Sequence, residues 1–166
     1  MIVAVVADTH GRTDVVIKCL LNIGPDYLLF AGDYFRDGET IARRLKIPAS
    51  IVAGNCDGVS QDKIEEVVCL MNHKLLLVHG HKYGVKGSLN RLYYRAQELG
   101  VDAAVFGHTH RAYCEQTDGL WMINPGSPVN PHWAEYGSFV IIEIEENHFH
   151  PVIMEIRSDH GQFMEA

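Results

Sequence analysis

Two imidazoles one residue apart close a short apolar run: residues 103–106 are Ala-Ala-Val-Phe, and Gly107-His108-Thr109-His110 follows. The run reads as a buried strand, so both rings stand just past a strand end. Alternate side chains of an extended chain share a face, so His108 and His110 converge on one point if the extended conformation persists across Thr109. Imidazole is a common metal ligand, and a converging pair is part of what a catalytic metal needs. Four further strand ends carry ligand-type residues beside glycine: Asp8 and His10 after residues 2–7, Asp33 after 27–31, Asn55 after 49–53, and His79 after 75–78. In open α/β folds ligands bind beyond the carboxyl ends of strands, and glycine lets the backbone turn tightly there. The seven candidates, Asp8, His10, Asp33, Asn55, His79, His108 and His110, are too many for one tetrahedral zinc. They suit two ions that share a bridging carboxylate. Carboxylate, amide and imidazole donors without a thiolate cluster favour manganese, magnesium, iron or zinc without choosing among them. Two such ions about 3.5–4 Å apart form a clamp for in-line attack on phosphorus.

The elements that must position these residues follow from hydrophobic spacing. Residues 2–7, 27–31 and 49–53 read as strands. Between them, Val16, Cys19, Leu20 and Ile23 recur at helical spacing after Thr13 or Asp14 as cap, until Gly24-Pro25, and residues 39–45 read as a second helix. Residues 65–72 and 74–78 form two adjacent strands. Leu89, Leu92, Tyr93, Ala96 and Leu99 mark a helix over 88–99 closed by Gly100. Strands are expected at 101–106, 112–117, 120–123, 138–145 and 149–156, with turns at Asp118-Gly119 and Glu146-Asn147. This predicts one α/β domain over residues 1–166, with a largely parallel sheet early, a more antiparallel sheet packed on it, and a frayed tail over 158–166.

Composition narrows the class. A chain of 166 residues with 47% hydrophobic and 21% charged residues is that of an ordinary globular domain with a substantial core. The apolar start is too short for a signal-peptide core and lacks preceding basic residues, and no stretch is long enough to span a bilayer. Cys19, Cys56, Cys69 and Cys114 show no C-x-x-C spacing, which points to a reducing cytoplasm rather than a disulfide scaffold. A net charge of -7 disfavours an extended nucleic acid as partner.

Asp8-x-His10, Gly32-Asp33, Gly54-Asn55, His79-Gly80-His81 and Gly107-His108-Thr109-His110, in this order, resemble the calcineurin-like metallophosphoesterase superfamily. Asn124-Pro125-Gly126-Ser127 is similar to a motif of its small YfcE-like phosphodiesterase branch. The resemblance implies two β-sheets packed as a sandwich flanked by helices, a four-layer α/β fold. It implies that Asp8, His10 and His110 hold one ion, that Asn55, His79 and His108 hold the other, and that Asp33 bridges them. It also implies attack of a metal-bound water or hydroxide on a small phosphodiester. Manganese leads among the expected ions, with magnesium, iron, nickel or zinc as alternatives. The expected partners are that small substrate and, at most, a second copy of the chain as a homodimer, with no membrane.

Three departures from the family pattern bear on specificity. Many relatives carry histidine after the Gly-Asn pair, where this chain has Cys56, and a neutral thiol is a weaker donor without the imidazolium charge. The usual leaving-group acid is thus replaced, with His81 as substitute, and slow turnover of unactivated esters is expected. Asp33, Asn55, His81 and Cys56 are the catalytic candidates. The Asp-Arg pair that follows Gly-Asp in phosphoprotein phosphatases is missing from Tyr34-Phe35-Arg36-Asp37, and Pro131-His132 stands where the branch has Pro-Arg.

Plainer readings compete. His73, His132, His148, His150 and His160 read as surface or supporting histidines, and Arg12, Lys82 and Arg111 as solvated loop cations that could instead bind substrate oxygens. At the level of the whole chain, the alternatives are a Vps29-like interaction scaffold that has lost catalysis, and a phosphomonoesterase or nucleotide pyrophosphatase using the same residues.

Overall fold

The computed structural model describes residues 1–58, 63–132, 134–157 and 162–166, and these build two mixed β-sheets and three α-helices. β1 (Ile2–Val6), α1 (Asp14–Ile23), β2 (Tyr27–Phe30), α2 (Phe35–Leu45) and β3 (Ala49–Ile51) alternate, and their strands pair in parallel. A hairpin of β4 (Glu65–Leu70) and β5 (His73–Val78) opens the second sheet, and α3 (Asn90–Leu99), β6 (Ala103–Val105), β7 (Ala112–Thr117) and β8 (Leu120–Pro125) follow. The chain then returns to the first sheet through β9 (Gly137–Glu145), β10 (His148–Ile156) and β11 (Phe163–Glu165). The strand orders are β11-β10-β9-β1-β2-β3 and β4-β5-β6-β8-β7.

Strand alternation sorts the apolar side chains into three layers of core. Val3 and Val5 of β1 meet Leu75 and Leu77 of β5 and Val105 of β6 between the sheets. Ala4 and Val6 face the other way, against Val16, Ile17 and Leu20 of α1 and Ile41 of α2. Leu76 and Ala104 turn outward to Leu92 and Ala96 of α3. Strands buried on both faces need apolar residues at every position, which is why their sequence runs are uninterrupted rather than alternating. The result is the expected four layers, with helices outside and the two sheets face to face.

The structure changes the sequence reading in four places. The sheets are not divided into an early parallel and a late antiparallel one: β9 lies antiparallel to β1, so the first sheet is parallel over β1-β2-β3 and antiparallel from β1 out to β11, while the second has a parallel centre, β5-β6-β8, and antiparallel margins. Strand periodicity reveals which face is buried but not which edge a distant strand will join. α2 starts four residues earlier than residue 39, because the Phe35 N–H donates to Asp57 Oδ1 at 2.7 Å, a cap supplied from another loop. His81–Tyr83 forms a single 3₁₀ turn. The expected frayed tail is held at its described end, where Phe163–Glu165 pair with β10 and the Phe163 ring packs 5.9 Å from that of Phe139. Residues 158–161, His160 among them, lie outside the described residues. Among the described residues no helix is long and apolar enough to cross a membrane.

Leu77 is fully buried between the sheets and sits two residues before the candidate ligand His79. Leu77→Ala is expected to cost about 2–5 kcal/mol of unfolding free energy, read as a lower urea midpoint with unchanged slope.

Candidate metal centre

The carboxyl ends of β1, β2, β3, β5 and β6 meet at one edge of the sandwich, and hydrogen bonds sew their loops together. The Asp8 N–H donates to Gly32 O at 2.6 Å, and the Gly107 N–H donates to His79 O at 3.1 Å. The His108 N–H crosses between the sheets to Asp8 Oδ2 at 2.9 Å. Of the eight non-glycine residues with positive φ among those described, Asp8, His10, Tyr34, His108 and His110 lie in these loops. A left-handed residue other than glycine costs roughly 1–2 kcal/mol, so this edge concentrates strain that the packing beneath must outweigh.

Left-handed backbone at His108 and His110 also replaces the extended passage expected across Thr109. The two rings therefore part instead of converging. His110 Nε2 lies 3.2 Å from His10 Nε2 and 3.5 Å from Asp8 Oδ1. His108 turns to the other half, its ring 5.0 Å from that of His79. His79 Nε2 in turn lies 3.2 Å from Asn55 Oδ1 and 3.4 Å from Asp33 Oδ1. Among the described residues, two sets of donor atoms are tight enough to hold an ion: Asp8, His10 and His110, and Asp8, Asp33 and His79. All seven residues singled out from sequence thus lie at this one edge, in two neighbouring groups.

The donor atoms are prepared for cations. His79 Nδ1 donates to Ala31 O at 2.7 Å and His110 Nδ1 to Asn130 O at 2.9 Å, which leaves each Nε2 lone pair facing the cluster. Burial holds His79 and His110 below the usual imidazole range, and burial together with neighbouring His79 pushes His108 down to about 4, so all three are neutral at pH 7. Asp8 is fully buried, its Oδ1 has no hydrogen-bond partner, and burial followed by the charge of Asp33 pushes it up to about 8. Burial would raise Asp33 as well, but His79 and the Cys56 N–H at 3.0 Å outweigh it and keep that carboxyl below its usual range. An orphaned buried carboxylate oxygen facing bare imidazole nitrogens is costly without a cation and fits one well.

Several supports were not legible as site residues. Asp37 Oδ2 accepts from Thr9 Oγ1 at 2.6 Å and from the Gly11 N–H at 2.7 Å, clamping the loop that carries Asp8 and His10. Asp57 Oδ2 accepts from the Gly54 N–H at 2.9 Å. Both are acidic residues beside glycine turns, a pattern that in sequence also describes solvated loops. The Asn124-to-Ser127 motif buttresses the ligands: Asn124 Nδ2 donates to Gly107 O at 2.9 Å, and Ser127 Oγ to Asp8 O at 2.8 Å. His81 sits beside the cluster, its ring 5.4 Å from His79 and its buried Nδ1 without a hydrogen-bond partner. The Cys56 thiol, interacting with Asp33 and partly desolvated, is pushed up to about 11 and stays protonated. His132 stacks on His110 at 4.5 Å.

Known proteins resemble this chain in sequence and in fold. A family model described as the calcineurin-like phosphoesterase superfamily domain matches residues 1–147. The chain is 36% identical over 149 residues to a probable metallophosphoesterase of Bacillus subtilis, YsnB, covering 89% of this chain and 86% of that protein. It is 29% identical over 161 residues to the phosphodiesterase YfcE of Escherichia coli, covering 79% and 83%. Among solved structures, Vps29 of Entamoeba histolytica complexed with zinc superimposes with a TM-score of 0.83 at 24% identity over 100% of this chain and 97% of that one, a likeness of fold.

Two outcomes are expected. A Cβ at Gly54 would stand 1.7 Å from Asp33 Oδ1, so Gly54→Ala should displace that carboxylate and lower divalent-ion affinity about 10–100-fold by titration calorimetry, while the far-UV circular dichroism spectrum is retained. Asp8, raised to about 8, binds its proton in the folded chain at pH 7 but must ionise to ligate. Ion affinity should therefore rise with pH up to about 8, and binding at pH 7 should release a proton, measured as a dependence of the calorimetric heat on buffer ionisation enthalpy.

Proposed function

Because the chain belongs to the calcineurin-like phosphoesterase superfamily and is a metal-dependent phosphoesterase, we propose that it hydrolyses a small phosphodiester at a dinuclear divalent-metal centre. The observation that carries this reading is the buried Asp8 carboxylate, common to both donor sets and with one oxygen lacking a hydrogen-bond partner. Asp8, His10 and His110 would hold one ion, Asn55, His79 and His108 the other, with Asp33 between them. Manganese is the first choice of ion. Bound there, such ions would supply a water made nucleophilic near neutral pH and positive charge to offset that building on the phosphoryl oxygens.

The chain's own residues set the rest of the chemistry. The Ala31 and Asn130 carbonyls fix the tautomers of His79 and His110, and the Cys56 N–H fixes the orientation of Asp33. Cys56 and His81 are proton-bearing side chains on the Asp33 and His79 side of the cluster. Cys56 is held protonated by its interaction with Asp33, and His81, lowered by burial and then by Lys82, is uncharged at pH 7. Neither supplies a cationic acid, and such assistance is typically worth about 10²–10⁴-fold. Esters with good leaving groups are accordingly the fast substrates. The four cysteines are free thiols, which favours a reducing cytoplasm as the compartment.

Purified protein with added manganese should hydrolyse bis(p-nitrophenyl) phosphate faster than p-nitrophenyl phosphate, and Asp33→Ala or His108→Ala should each remove about 10²-fold or more of that activity. The reverse substrate order identifies a monoesterase, and release of nucleoside monophosphate from a dinucleotide polyphosphate at a higher rate identifies a pyrophosphatase. Folded protein that stays inert with manganese, magnesium, iron, nickel and zinc identifies the scaffold. Replacing the weak donor, Cys56→His should raise the rate on a diester with an alkoxide leaving group about tenfold or more, with a smaller gain on bis(p-nitrophenyl) phosphate.

A further inference from the structure

A cleft of about 520 Å³ opens beside the metal cluster, on the side of the second sheet and α3. Its volume lies within the roughly 300–1,000 Å³ that holds a small organic ligand. One wall is apolar, built from Leu89, Phe106 and the ring of Tyr113. Two exposed cations, Lys86 and Arg111, stand at its sides. His132 joins the cleft to the cluster, because the same imidazole lines the cleft and stacks on His110 at 4.5 Å. Lys86 is close enough that its charge is felt at Asp8, His108 and His110 alike.

We propose that this cleft receives the leaving group of the ester and that Lys86, Arg111, Leu89 and Tyr113 select a nucleoside phosphate there. The inference rests on the phosphodiesterase reading for the identity of the bond that breaks, the P–O bond to this group, across which water is added. An alkyl or glycerol leaving group would use neither cation, and a sugar phosphate would leave the apolar wall uncovered. A flat heteroaromatic base against Leu89 and Tyr113, with a further phosphate between Lys86 and Arg111, uses both. With a net charge of -7 over the whole chain, attraction for an anion depends on local groups of cations such as this pair, which suits a small nucleotide better than a long nucleic acid.

Adenosine diphosphate is the probe, with inorganic phosphate, adenosine and a short oligothymidylate as comparisons, measured by calorimetry on manganese-loaded protein whose bis(p-nitrophenyl) phosphate activity is assayed in parallel. Adenosine diphosphate should bind at least tenfold more tightly than phosphate or adenosine. Lys86→Ala and Arg111→Ala should each weaken it about tenfold, with little change for adenosine, and Leu89→Trp should weaken adenosine diphosphate and adenosine together. An active enzyme that binds adenosine diphosphate no better than phosphate overturns the cleft assignment and leaves the phosphodiesterase reading standing. Tight, Arg111-dependent binding by an inactive protein upholds the nucleotide site and overturns the phosphodiesterase reading. Tighter binding of the oligothymidylate than of adenosine diphosphate overturns the small-nucleotide assignment.

Discussion

Two carboxyl groups, Asp8 and Asp33, are buried together at the meeting point of two sheets, and their mutual repulsion is the constraint around which the edge is built. Isolated like charges in a low-dielectric interior are costly, and a protein relieves that cost by protonation or by a cation. Here the residues provide for both routes. Without an ion Asp8 holds its proton up to about pH 8, whereas the surrounding imidazoles are already neutral and aim their bare nitrogens at it. Protonation of one carboxyl and occupation by cations are thus alternative ways of satisfying the same buried pair.

Holding that pair requires support from both sheets. The His108 N–H, Ser127 Oγ and the Gly32 carbonyl all reach Asp8, from loops distant in the chain. Left-handed conformations at Asp8, His10, His108 and His110 would be unfavourable singly, yet they are what turns each side chain back over the strand end. The sandwich core under them, with Leu29, Leu77 and Val105 fully buried, is the rigid base that makes such turns affordable. Stability of the core and geometry of the site are therefore one problem rather than two.

Around the cluster the chemistry is graded. Neutral donors, Cys56 and His81, flank the side where Asp33 and His79 lie, while the cations Lys86 and Arg111 stand beside His108 and His110 at the mouth of a roomy cleft. On the proposed function, these exposed cations would carry the stabilisation of substrate charge while proton donation stays weak, so leaving-group quality and leaving-group recognition would distinguish one ester from another.

The residue types and their order settled a great deal: apolar runs with glycine and a ligand-type side chain at each end specify strands that stop at a common edge, because a strand buried on both faces can change character only where it emerges. Asp8, His10, Asp33, Asn55, His79, His108 and His110 were legible for that reason; the periods of the segments gave helices and two packed sheets, and the family resemblance implied their four layers. What only the tertiary structure decided is how those ends are shared out. Local periodicity carries no information on long-range partners, so the return of β9 to the edge of β1, the hold of Asp37 on the first loop, the cap that Asp57 supplies to α2 and the place of Lys86 in the cleft that Arg111 and His132 also line are all invisible along the chain. The sharpest case is His108 and His110: alternation along an extended chain pointed them to one centre, whereas positive φ at both, with the His108 N–H donating to Asp8 Oδ2 and His110 Nδ1 to the Asn130 carbonyl, sends one ring to each half.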